Sequence, residues 1–64
     1  MVYVARIKFE GFDSFGDEFE VDNLLGVFRT EKNAKKALMR EYELLELQGH
    51  TVTEMRLDRR FVEE

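Results

Sequence analysis

Cysteine is absent from the 64 residues, His50 is the one imidazole and Ser14 the one serine. Without thiols the chain can form neither a disulfide nor a thiolate metal site, and their absence fits a reducing compartment. With one imidazole and one serine hydroxyl, no Ser, His and Asp arrangement or paired-carboxylate site stands out, so no catalytic residues and no cofactor are expected. The start, Met-Val-Tyr-Val-Ala, lacks the long apolar run of a signal peptide or membrane helix. No membrane association and a cytoplasmic location are the expectation. The most informative absence is local: from Phe9 to Phe28 there is no Lys or Arg.

That stretch carries Glu10, Asp13, Asp17, Glu18, Glu20 and Asp22, interleaved with Phe9, Phe12, Phe15, Phe19 and Phe28. The net charge of -4 is therefore a segment at -6 set against a remainder at +2. Such separation creates a localised negative field that attracts basic surfaces and repels phosphate, which points to a binding protein. Length sets a second bound. Each ordered residue costs about 1.5 kcal/mol of conformational entropy, and a chain this short has room for one thin core layer. With no disulfide or metal to help, oligomerisation is the remaining support, and a homodimer is expected. Hydrophobic content of 44% with 12% aromatics argues for a folded domain despite 38% charged residues.

Residues 2–10 alternate, placing Tyr3, Ala5, Ile7 and Phe9 on one face and Val2, Val4, Arg6, Lys8 and Glu10 on the other, the period of a half-buried strand. Gly11, Asp13, Ser14, Gly16 and Asp17 cluster as turn formers, after which Glu18 to Asp22 alternate again, completing a hairpin. Asn23 and Gly26 interrupt the continuation to Phe28, predicting a bent, bulged or split second strand. Thr30 is placed to cap a helix that ends at Gly49. Its apolar stripe reads Ala34, Ala37, Leu38, Tyr42, Leu44 and Leu45. Residues 51–61 form a third strand, with Thr53, Met55, Leu57 and Phe61 inward, Arg59 breaking that face, and Glu54, Arg56, Asp58 and Arg60 outward. The expectation is a single α+β domain over 1–64, strand-strand-helix-strand. A hairpin and a right-handed crossover give a three-stranded sheet of order 2-1-3 with one helix packed on one face.

Several residues invite a functional reading. Glu10, Asp13, Phe15, Asp17, Glu18, Glu20 and Asp22 suit docking on a basic groove, with Phe12 or Phe15 as apolar anchor; the plain alternative is a solvated hairpin with Phe15 and Phe19 in the core. Calcium is not expected, because Asp13 to Asp17 lack the alternating oxygen ligands and closing Glu of a calcium loop. Arg56, Arg59 and Arg60 offer guanidinium forks suited to carboxylate or phosphate, or form a solvated charged strand. Within the helix, Lys32, Lys35, Lys36 and Arg40 precede Glu41, Glu43 and Glu46, the reverse of what a helix macrodipole favours. Glu41 falls inside the apolar stripe, where a carboxylate needs a partner or a route to water, and Arg59 is the candidate partner. Met39 and Leu47 project outward from the helix, as do Val2, Val4 and Val62 from their strands; gathered together they would mark a dimer seam. His50 reads as a surface turn residue.

The chain resembles the phage gene 2 protein type of bacterial RNA polymerase inhibitor. The matching pieces are Tyr-Val-Ala-Arg-Ile in the first strand, Phe19-Glu20-Val21, Thr30 with Ala34 and Leu38 following, and Gly49 followed by Val52-Thr53 and Arg56. The resemblance implies a strand-strand-helix-strand inhibitor in the host cytoplasm that binds the polymerase through an acidic surface and arginines of the last strand. Of these arginines Arg56 is matched, whereas Glu54 stands where the family has another, and the helix is longer by about one turn. Gly49, Thr51, Glu54 and Arg56-Leu57-Asp58 also echo, with a gap, the last segment of phage DNA-mimic inhibitors of uracil-DNA glycosylase. The expected partner is a host protein with a basic surface, met by the acidic residues with Arg56 and Arg60 as further contacts. A nucleic-acid-binding module, resembling integrase arm-binding domains and using Arg6, Lys8, Arg56 and Arg60, is the less favoured alternative.

Overall fold

A computed structural model describes residues 1–61. Strand β1 (Val2–Phe12) turns through Asp13 to Asp17 into β2 (Glu18–Phe28). Helix α1 (Glu31–Leu47) then returns the chain to β3 (Thr51–Arg60). The sheet order is β2-β1-β3, with β1 antiparallel to both neighbours. The α+β strand-strand-helix-strand arrangement read from the residues is thus observed, with β1 running two residues past its expected end.

Capping residues fix both ends of α1. The Thr30 hydroxyl accepts the Asn33 N–H at 3.2 Å, satisfying a donor that the first helical turn leaves free. At the other end Gly49 takes a φ of 83°, and the N–H groups of Gly49 and His50 donate to the carbonyls of Glu46 and Leu45. This paired closure needs a left-handed residue, which glycine adopts without a Cβ clash.

The core lies between α1 and the inner face of β1. Ala5, Ile7, Ala34, Leu38 and Leu45 are buried, and Phe9, Leu25, Phe28, Tyr42, Val52 and Leu57 pack around them. Ile7 is the one large side chain fully enclosed among the described residues. Leu44, expected in the stripe, is exposed: it points 100° around the helix from Leu45, so it runs alongside the sheet rather than into it. Met39 and Leu47 are exposed on the helix, whereas Val2 and Val4 sit on the other side of the sheet, so these residues do not gather into one seam. Val62 lies outside the described residues.

Two bulges shape the sheet. Ala5 pairs with Gly26 and Arg6 with Leu24, leaving Leu25 as an extra residue on β2, where the interruption was anticipated. On β3, Lys8 pairs with Glu54 but Phe9 with Val52, so Thr53 is the extra residue. That bulge reverses the alternation and turns Val52, not Thr53, toward the core.

One open alternative is decided, for Glu41 in favour of a route to water, and two further expectations, for His50 and Gly11, are corrected. Among the described residues Glu41 makes no ion pair with Arg59; it is half-buried at the rim of the stripe and Arg59 is exposed. His50 is not a free turn residue, because its ring is half-buried with Phe9 and Phe19, at centroid distances of 5.4 and 5.5 Å. Gly11 is not in the turn but is buried in β1, where a Cβ would collide with the His50 ring and approach Phe19 to 3.1 Å.

The molecule measures 47 × 19 × 14 Å with a radius of gyration of 13.5 Å, against about 11 Å for a compact domain of this length. Its accessible surface of 5149 Å² exceeds by about 850 Å² that of a typical monomer of the same mass.

Candidate interaction surface

Because α1 covers one face of the sheet, the other face stays open, and strand register decides which side chains share it. Across β2, β1 and β3 its rows read Val27, Val4, Asp58; Leu24, Arg6, Arg56; Asp22, Lys8, Glu54; and Glu20, Glu10, Thr51. Glu18 follows beside Phe12, and Arg60 lies beside Val2 at the far end. Two of these neighbour pairs set like charges directly opposite, Glu10 with Glu20 and Arg6 with Arg56. Such pairs destabilise a sheet, so stability of the lone domain did not select them.

The rows also sort by sign along the strands. From Lys8 and Asp22 to the β1–β2 turn, the two strands carry six carboxylates and the lone cation Lys8. The C-terminal half of α1, with Glu41, Glu43 and Glu46 against the one cation Arg40, lies at this same end, since His50 just beyond it touches Phe9 and Phe19. Arg6, Arg29, Lys32, Lys35, Lys36, Arg56, Arg59 and Arg60 occupy the opposite end, accompanied among described residues by Glu31 and Asp58. The helix charge order that opposes its macrodipole therefore matches the polarity of the whole molecule.

The six carboxylates of the acidic pole are not cancelled by ion pairs among the described residues, whereas the basic pole is compensated in part. The described ion pairs are Lys8–Glu54 at 3.8 Å, Glu31–Lys35 at 3.0 Å and Arg56–Asp58 at 3.8 Å. None involves Glu10, Asp13, Asp17, Glu18, Glu20 or Asp22. The row of Glu10 lies four residues from that of Arg6, or about 13 Å, beyond the screening length of about 8 Å at physiological ionic strength.

The expected site residues thus fall into three groups. Glu10, Glu18, Glu20 and Asp22 share the acidic half of the open face. Asp13, Phe15 and Asp17 belong to the turn, where an Asp13 carboxylate oxygen accepts the N–H groups of Phe15 at 2.8 Å and Asp17 at 3.0 Å. Asp13 is thereby a builder of the turn, and it holds Phe15 at the tip, 88% exposed. Phe12 is also exposed, so two of the interleaved phenylalanines are outside the core, while Phe19 packs on His50. Arg56 and Arg60 are about 13 Å or more from Glu10 on the same face and form a separate, basic site. Residue pattern alone missed the partnership of His50 with Gly11; a glycine in an otherwise alternating strand was its available signal.

A shallow cleft of about 80 Å³ lies at the acidic end, lined by Glu10, Gly11, Phe12, Glu18, Gly49 and Thr51. Among the described residues no three His, Asp or Glu side chains gather to hold a metal ion, and no helix is long and apolar enough to cross a membrane. No protein-family model, curated protein or solved structure matches the chain.

Proposed function

We propose that this chain is a small non-enzymatic binding protein, a phage-type inhibitor or regulator whose acidic pole docks on a basic surface of a host protein that handles nucleic acid. One observation carries the reading: six carboxylates without an ion-pair partner among the described residues crowd one pole around exposed Phe12 and Phe15. A basic groove that ordinarily binds a phosphate backbone offers the counter-charge, and the phenylalanines supply an apolar anchor. A cleft of about 80 Å³ is well below the few hundred Å³ of a usual small-molecule site, which favours docking over turnover. The resemblance to gene 2 protein-type inhibitors makes bacterial RNA polymerase the first candidate, with imitation of DNA toward another DNA-binding protein as the variant of the same mechanism.

The test is retention on immobilised bacterial RNA polymerase at rising salt, comparing the native chain with Asp17→Asn, Glu18→Gln, Glu20→Gln combined. The native chain should be retained at low salt and the neutralised one lost. Equal retention of both would remove the electrostatic mechanism, and capture from lysate would identify any other partner.

The basic end of the open face supports a second reading, direct nucleic-acid binding through Arg6, Arg56 and Arg60 with Lys8 one row along. A low-salt gel shift that disappears with Arg56→Gln, Arg60→Gln would favour it over protein docking.

A further inference from the structure

Both outer strands of the sheet have an unpaired edge, and the two edges differ in what they accept. On β2 the residues facing the open side begin Glu18, Glu20 and Asp22, all of one sign, and the Leu25 bulge with Gly26 interrupts the rest. Pairing of two such edges sets carboxylate against carboxylate. On β3 the regular stretch after the Thr53 bulge runs from Glu54 to Arg60, seven residues with Leu57 at the midpoint. Its residues on the open side are Glu54, Arg56, Asp58 and Arg60, strictly alternating in sign.

We infer that the chain self-associates through this edge, β3 pairing antiparallel with β3 of a second copy about a two-fold axis at Leu57. Residues directly opposite in an antiparallel pair lie on the same face of the sheet. In this register Glu54 meets Arg60 and Arg56 meets Asp58, each twice, so all four pairs on the open side are of opposite charge. On the helix side Leu57 meets Leu57, and Met55, 46% exposed in the single chain, is covered by the stem of Arg59. No pairing of β3 with the acidic stretch of β2 matches as well, because half of the β3 charges would then face their own sign.

The geometry permits the union. The two β1 strands would stand three strand spacings apart, about 14 Å, and the helices over them with similar separation, wider than the 8–10 Å of packed helices. The result is a six-stranded sheet with both helices on one side and the acidic β2 edges outermost. This edge is distinct from the acidic pole, so the inference stands whether or not that pole docks on a host protein.

The experiment is sedimentation equilibrium of the native chain, Arg56→Asp, and Arg56→Asp combined with Asp58→Arg, from micromolar to millimolar concentration. Reversing Arg56 turns two attractive pairs repulsive in the dimer; inside each copy it relieves the like-charge contact with Arg6 and gives up the exposed Arg56–Asp58 ion pair, opposing changes that should leave the fold in place, which far-UV circular dichroism checks. The dimer Kd should rise at least about tenfold in the single variant and return to within about threefold of native in the double swap, which restores the match. A native chain that is monomeric throughout, a dimer indifferent to Arg56→Asp, or a double swap that fails to recover would each overturn the inference, as would open-ended polymers in place of a closed dimer.

Discussion

Replacing Glu20 by lysine should make the domain more stable while weakening its hold on a basic partner. Glu20 faces Glu10 across the β1–β2 ladder with no ion-pair partner within 4 Å among the described residues. Converting a directly opposite like-charge pair into an attractive one changes stability by about 0.5–1 kcal/mol. The nearby Lys8 subtracts little, because it sits opposite Asp22 and already contacts Glu54. Unfolding entropy of about 2.1 cal/mol/K per residue makes 1 kcal/mol worth about 7 °C in a domain of this size, so Tm should rise by about 4–7 °C. Glu20→Gln should give about half of that. The assay is thermal unfolding followed by circular dichroism at 10 mM and 1 M NaCl, where screening lengths are about 30 and 3 Å. A gain that is absent at low salt, or undiminished at high salt, would refute the claim that unbalanced charge is held in this sheet.

Three further outcomes are expected. Gly11→Ala should lose about 1–3 kcal/mol in urea unfolding, because the added methyl meets the His50 ring and Phe19 rather than open space. Gly49→Ala should lose about 1–2 kcal/mol from its left-handed backbone alone, since a Cβ there has no neighbour within 4 Å; a loss above about 3 kcal/mol would show a packing role as well. Phe15→Ser should leave urea stability within about 0.5 kcal/mol, given its exposure, yet reduce affinity for immobilised RNA polymerase at least tenfold; unchanged affinity would remove Phe15 from the proposed contact.

Period-two alternation in β1, the Thr30 and Gly49 signals around α1 and the chirality of the crossover together determined element order, sheet order and the buried set of Ala5, Ile7, Ala34, Leu38 and Leu45. These are properties of local backbone geometry and of which face can leave water, and a sequence carries them residue by residue. The acidic segment from Phe9 to Phe28 was equally visible, because charge is additive along a chain. Tertiary structure alone decided the rest. Pairing register put Glu10 against Glu20 and Arg6 against Arg56, one extra residue at Thr53 turned Val52 rather than Thr53 inward at the start of β3, and Gly11 opened room for His50. The return of α1 set its glutamates beside the acidic turn and its lysines beside the arginines of β1 and β3. Each depends on contacts between segments distant in sequence, so a pattern within any one segment cannot contain it.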